Sequence, residues 1–207
     1  MDAIPFGKHY FEVVIILRNS LLVSSVLFNS EAWYNLTEAE LNLLETIDLM
    51  FLGQLLKAPK GTPKEMLFLE LGCIPFREIL RERRLGFLYY ILNEDPKSII
   101  SRFFKVQMEK RNKRDWATTV LEDLKYLDLE ELSMESIRKM KKGSYMNMIK
   151  KEIRNKAFDK LQLRKKPHPK VENVEHNEIK IQKYLKPNKE SMNKEIAQLI
   201  FKLRCRS

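Results

Sequence analysis

Glycine and cysteine are both scarce in this chain, with six glycines and two cysteines in 207 residues. So few glycines leave little turn chemistry at strand spacing, which argues against an all-β fold. Cys73 and Cys205 cannot build a disulfide framework, and no C-x-x-C is present. Together with His9, His168 and His176 they make no metal-ligand set, so no cofactor is expected. The start, Met1-Asp2-Ala3-Ile4-Pro5, lacks the regions of a secretory leader. With the cysteine count this fits an intracellular protein, nuclear or cytoplasmic, and not a secreted one. The one long apolar run, Tyr10 to Phe28, is interrupted by Glu12, Arg18 and Asn19 and reads as a buried core helix, not a membrane span.

Catalytic patterns are missing as well. There is no Walker-type loop and no G-x-G-x-x-G, and no small-molecule substrate is expected. Nucleotidyl transfer needs acids that converge on two metal ions. The adjacent acids here, Glu94-Asp95, Glu122-Asp123 and Glu130-Glu131, sit at helix ends or on amphipathic helices and read as solvated or capping charges. Cys73 follows Gly72 and reads as a small buried residue with no base beside it. No enzymatic activity is expected of these residues. His168 and His176 flank a proline-bearing stretch and read as surface histidines.

What the chain has in quantity is helix pattern and local positive charge. The net charge of +10 is concentrated: residues 137–166 hold 12 Lys/Arg against 2 Asp/Glu, whereas residues 1–75 hold 5 against 9. A basic block on a helix suits a polyanion, either nucleic acid or an anionic membrane face, with a solvated helix surface as the plain alternative. Tyr10 to Phe28 predicts a first helix, apolar around most of its circumference and hence buried; β-branched residues cluster at Val13–Leu17 as in a strand, but the length favours helix. Thr37 and Glu40 make a capping box for a second helix to about Leu56. Thr62, Pro63 and Glu65 make another, for a short helix ending at Gly72 in a left-handed cap. Pro75 opens a helix over about Phe76 to Leu92, with Phe76, Ile79, Leu80, Phe87, Tyr90 and Ile91 on its apolar face. Asp95-Pro96 starts a fifth, to about Met108, packing through Ile99, Ile100, Phe103 and Phe104. Further helices follow over Trp116–Leu127, from Ser133 to a break near Gly143, over Ser144 to about Leu163, and over Ser191–Arg206. Lys165–Asn188 carries Pro167, Pro169 and Pro187 and is the least ordered stretch.

Binding residues follow from this map. Arg77, Arg81 and Arg84 form a stripe beside the apolar face of their helix. Arg138, Lys139, Lys141 and Lys142 lead into Lys150, Lys151, Arg154 and Lys156. Such side chains track phosphates without reading sequence. Trp116, Tyr126 and Tyr145 have the chemistry to stack on bases, but each stands at core spacing. Asp48 and Arg83 each place a charge in the middle of an apolar face. A buried ion needs a partner, so Arg83 is expected to meet Asp48 or, failing that, Glu31.

The stretch Leu27-Phe28-Asn29-Ser30-Glu31-Ala32-Trp33 resembles the Leu-Tyr-Gly-Ser-Glu-x-Trp signature downstream of the polymerase core in non-LTR (LINE-type) retrotransposon reverse transcriptases. Phe51-Leu52-Gly53-Gln54-Leu55-Leu56 matches the leucine-rich helix stop of that family. Glu70-Leu71-Gly72-Cys73-Ile74-Pro75 and Arg81-Glu82-Arg83-Arg84-Leu85 match its Gly-x-x-Pro turn and arginine-rich helix. Order and spacing agree across residues 5–92; the rest, through Ile200-Phe201-Lys202-Leu203-Arg204, is similar to the extension before a zinc knuckle. Asn29 stands where the family has glycine, and Gly53 where it commonly has arginine. The resemblance implies that the catalytic Asp-Asp motif and fingers–palm core would lie before Met1 and the knuckle after Ser207. It implies an all-α, thumb-like helical bundle over 1–112, a basic helical extension over 113–166, a proline-bearing linker over 167–190 and a terminal helix over 191–207. The implied function is that of a non-catalytic fragment of an RNA-directed DNA polymerase, gripping the backbone of RNA or an RNA–DNA hybrid and partnering the polymerase core of its parent element. The competing expectations are a helical protein–protein interaction module, an orphan or domesticated reading frame, and a basic protein at a membrane surface.

Overall fold

The computed structural model describes residues 9–166, 168, 171, 174–186 and 194–205, and over these the chain is all-α. Its helices are α1 (Tyr10–Leu17), α2 (Val23–Val26), α3 (Glu38–Leu56), α4 (Lys64–Leu71), α5 (Phe76–Asn93), α6 (Ile99–Lys110), α7 (Trp116–Tyr126), α8 (Met134–Lys139), α9 (Lys142–Lys165) and α10 (Lys194–Arg204). A π-helical turn, Arg18–Leu22, joins α1 to α2. Residues 1–8, Pro167, Pro169, Pro187, the first three residues of the expected terminal helix and Arg206 lie outside the described residues.

Local capping chemistry sets several boundaries. The Thr37–Glu40 box forms in both directions, with Glu40 N donating to Thr37 Oγ1 at 3.3 Å and Thr37 N to Glu40 Oε2 at 2.7 Å. The second box does not form, because Thr62 Oγ1 donates to the Pro59 carbonyl at 2.7 Å and Pro63 takes the cap position of α4. Asp95 caps a turn through Lys97 N (2.9 Å), and α6 starts only behind Ser98, which accepts from Ser101 N. Between α8 and α9 the break falls at Met140, which is extended; Gly143 lies in the first turn of α9.

Long-range contacts divide the chain into two compact units, neither of them continuous in sequence: Met1–Val26, Leu43–Pro75 and Ala157–Ser207 form one, Leu27–Asn42 and Phe76–Lys156 the other. The divisions expected after residues 112, 166 and 190 do not coincide with these. Composition reports local charge, whereas a unit is defined by which distant residues share a core.

In the first unit α4 is central. Every residue from Glu65 to Leu71 is buried, as a helix surrounded on all sides requires. Its neighbours include Phe11, Ile15, Leu52, Leu56 and Phe201. The stretch expected to be a linker contributes Val171, Val174, Ile179 and Leu185 to this core, so it packs rather than spans. Gly72 ends α4 at φ 66°, and a Cβ there would stand 2.4 Å from the Ile181 nitrogen. Glycine is thus required twice, by the left-handed backbone and by the chain that bridges Leu71 to Ile181 alongside it. The first helix is not buried all round: Val13, Ile16 and Leu21 are exposed. Its π turn spaces the buried Arg18 and Val23 five residues apart and carries Arg18 inward. There Arg18 Nε donates to Asp48 Oδ1 at 2.6 Å, Nη2 donates to Asp48 Oδ2, and Nη2 also reaches the Ile74 carbonyl at 3.2 Å.

The second unit is built around α5, which packs against α6, α7, α8 and the 3-10 turn Ser30–Ala32. Its buried ridge runs Arg77, Leu80, Arg84, Leu88, Ile91, at helical spacing. This is turned from the expected face: Tyr90 is exposed, and the arginine stripe lies inside. Leu27, Val120, Leu124, Ile137 and Ile149 are among the apolar residues buried in this unit. The expected packing set of α6 is also corrected, since only Phe104 is buried while Ile99 and Phe103 are exposed.

Asp48 is therefore paired, as its burial demands, but with Arg18 and not with Arg83. Burial opposes the charge on Arg18, yet the hydrogen bonds to Asp48 outweigh it and raise the guanidinium above its ordinary value, which keeps the pair ionised. Removing one partner strands the other. Arg18→Met should cost about 3–5 kcal/mol, and Arg18→Met with Asp48→Leu substantially less; urea denaturation of the two variants checks the difference.

Candidate nucleic-acid interface

The second unit holds both sets of cations that the sequence singles out, and the structure treats them oppositely. The α5 arginines are consumed internally. Arg84 makes a two-pronged contact with Asp123, Nε to Oδ2 at 2.6 Å and Nη2 to Oδ1 at 3.0 Å. Arg77 reaches Glu38 at 3.3 Å and Asn42 at 3.4 Å. Arg81 lies 3.0 Å from Glu78 and 3.2 Å from Asp123, with its guanidinium 4.0 Å above the Tyr126 ring. Burial and the Glu78 charge push the Tyr126 phenol up to about 12, so it stays a neutral donor to that carboxylate. Arg77, Arg81 and Arg84 are thus not a phosphate-tracking stripe. Asp123, expected to be solvated, is buried as the acceptor for two of them.

Arg83 is positioned by different groups. Its Nη1 donates to the Leu27 carbonyl and lies 3.2 Å from Ser30 Oγ. Trp116 Nε1 donates to the Glu31 carbonyl at 2.8 Å. Asn29 stands at φ 53°, ψ 21°, a left-handed conformation that asparagine tolerates better than most side chains. The Leu27–Trp33 stretch and the Arg81–Leu85 stretch, some fifty residues apart in the chain, therefore meet in one place.

The second set is presented on α9. Tyr145, Ile149 and Ile153 form its buried ridge in four-residue steps, and the Tyr145 hydroxyl donates to the Leu85 carbonyl at 3.1 Å. Burial raises the Tyr145 phenol far above its ordinary range and keeps it protonated. Fixing that ridge inward fixes Lys150, Lys151 and Arg154 outward, where all three are exposed. Lys141 and Lys142, also exposed, stand at the start of the helix. Cations there oppose the helix dipole at about 0.3–1 kcal/mol each, so their placement does not serve the stability of α9. Lys150 passes 3.7 Å from Glu82 yet keeps most of its side chain in solvent. Lys156 is tied to Asp128 and is half-buried, which sets it apart from the others. From Lys141 to Arg154 the cations extend over roughly 20 Å of helix. Trp116 and Tyr145 are buried, as core spacing predicts, and offer no stacking face.

In the first unit the sequence reading missed a buried polar cluster. Glu70 Oε1 accepts from Arg204 Nε at 2.9 Å and lies 3.2 Å from His176 Nε2, while Oε2 accepts from the Tyr184 hydroxyl at 2.7 Å. His176, expected at the surface, is buried with it. The carboxylate is saturated and both the Glu70 and His176 side chains are closed to solvent, so the cluster has no room for a substrate and reads as structural. Burial pushes the Cys205 thiol up to about 11 and makes it a poor nucleophile. Among the described residues no group of three His, Cys, Asp or Glu is placed to hold a metal ion, and no helix is long and apolar enough to cross a membrane. No protein-family model, curated protein or solved structure matches the chain.

Glu70 links the fold to pH. Burial raises its pKa, but hydrogen bonds from His176 and Tyr184 and the charge of Arg204 outweigh that and hold it below the model value of 4.5. A depressed carboxylate stabilises above its unfolded pKa, and that stability is lost as pH falls through the folded value. Denaturant titrations between pH 6 and 3 should show stability falling with acidification, with a smaller slope in Glu70→Gln than in the parent chain.

Proposed function

We propose that the chain is a non-catalytic helical module that binds the phosphate backbone of RNA or an RNA–DNA hybrid through Lys141, Lys142, Lys150, Lys151 and Arg154. The observation that carries this reading is the contrast between the two cation sets. The arginines of α5 are matched by internal carboxylates, whereas the α9 side chains are held out in solvent by the burial of Tyr145, Ile149 and Ile153. A row of exposed cations fixed on a rigid helix supports sequence-insensitive contact with a polyanion.

The likeness to the thumb and following region of non-LTR retrotransposon reverse transcriptases belongs to the same proposal. Two features are consistent with it. The two stretches that carry the likeness, Leu27–Trp33 and Arg81–Leu85, are joined through Arg83, Ser30 and the Leu27 carbonyl. The position where that family has glycine is left-handed, so Asn29 satisfies the same backbone requirement. On this reading the module works inside the cell beside the polymerase core of its parent element and grips the duplex that core copies.

The test is fluorescence anisotropy with a 20-base-pair RNA–DNA hybrid across a salt series. Binding should weaken steeply with salt, and Lys150→Glu/Lys151→Glu/Arg154→Glu should lower affinity at least tenfold at 0.1 M salt. The same variant should flatten the log–log salt slope by roughly 2 to 3. Arg84→Met should lower stability while leaving the salt slope of the folded protein unchanged. Unaltered affinity in the triple variant overturns the assignment, and metal-dependent nucleotide incorporation by the chain alone overturns its non-catalytic part.

A further inference from the structure

A different face of the second unit is built like a docking site for another protein. Helix α6 buries Phe104 but turns Ile99 (87% exposed), Phe103 (62%) and Val106 (44%) outward. These three stand at i, i+4 and i+7, so they form one apolar stripe along two turns. Beside the stripe is a shallow hollow of about 620 Å³ lined by Pro96, Lys97, Arg102, Lys105, Val106 and Glu109. Between residues 97 and 114 the chain carries seven Lys/Arg against one Asp/Glu. Unlike the α5 arginines, Arg102 and Lys105 are exposed along the edge of the stripe.

We infer that α6 is the docking surface for an acidic amphipathic helix, whose apolar ridge covers Ile99, Phe103 and Val106 and whose flanking carboxylates meet Arg102 and Lys105. Anchors at i, i+4 and i+7 have the spacing at which one helix seats on another. The hollow admits a single side chain from such a ridge, and its cations select a carboxylate. Two aliphatic side chains out of three offer no stacking face to bases, which separates this surface from a nucleic-acid platform. Three apolar residues make a narrow stripe for insertion into a bilayer, where interfacial helices present a broad one. This inference does not depend on the α9 assignment.

The experiment uses the full chain and two synthetic 14-residue helical peptides. Both carry leucines at i, i+4 and i+7; one has glutamates flanking them and the other has lysines in the same places. The glutamate peptide should bind at least tenfold more tightly than the lysine peptide. Ile99→Ser/Phe103→Ser should reduce that binding at least tenfold, and Arg102→Glu/Lys105→Glu should reverse the preference. All four substituted positions bar none are on the exposed side of α6, so unchanged circular dichroism melting verifies that the fold is kept. Equal affinity for both peptides, or binding indifferent to either double variant, overturns the inference. So do uptake onto phosphatidylserine vesicles in place of peptide binding, displacement of the peptide by the RNA–DNA hybrid, and self-association of the free chain that Phe103→Ser abolishes. Hybrid binding that persists in Ile99→Ser/Phe103→Ser while peptide binding is lost separates this surface from the α9 face.

Discussion

A guanidinium taken out of water must find its acceptors inside the protein, and this requirement organises both units. Arg18 in the first, and Arg77 and Arg84 in the second, are all buried. Each is met by a carboxylate that the fold brings from a distant part of the chain: Asp48, Glu38 and Asp123 respectively. A buried ion without such a partner would cost several kcal/mol, so the pairs restrict how these helices can pack. The π turn at Arg18 is part of that solution, since it directs the side chain inward where a regular helix continuing from α1 would set a different register.

The same constraint determines which cations remain for binding. Acids of the second unit are taken up by the α5 arginines, with Asp123 serving two of them. The exposed positive charge therefore lies elsewhere, on α9 and around α6, and the two places differ in chemistry. On α9 the cations have polar neighbours and a core ridge behind them. On α6 they border an apolar stripe. A polyanion suits the first, and a surface with both charge and apolar area suits the second. In the first unit the polar interior is closed: Glu70 collects His176, Tyr184 and Arg204, and Gln182 N donates to the Glu70 carbonyl at 3.0 Å. That closure draws residues 174–186 into the core despite their sparse apolar content.

Backbone geometry adds a second layer of constraint. Gly72 lets the chain near Ile181 lie against the end of α4, and Asn29 turns the chain so that Ser30 is buried and the Leu27 carbonyl is offered to Arg83. Both positions belong to the stretches that carry the likeness to reverse transcriptases, and in both the residue type follows from the local conformation.

The residues alone determined the all-α class, the Thr37–Glu40 cap, the left-handed end at Gly72, the core placement of Trp116 and Tyr145, and the outward basic face of α9. These follow from periodicity and local hydrogen bonding, which act over a few residues. Only the tertiary structure decided that Arg18 and not Arg83 answers Asp48, that the α5 arginines face inward, that Ile99 and Phe103 face outward, and that the proline-bearing stretch packs. Hydrophobic pattern counts arginine as a surface residue and phenylalanine as a core one. Whether either is so depends on what a distant helix presents to it, a carboxylate for the arginine or nothing for the phenylalanine, and that pairing is set by how the chain closes on itself.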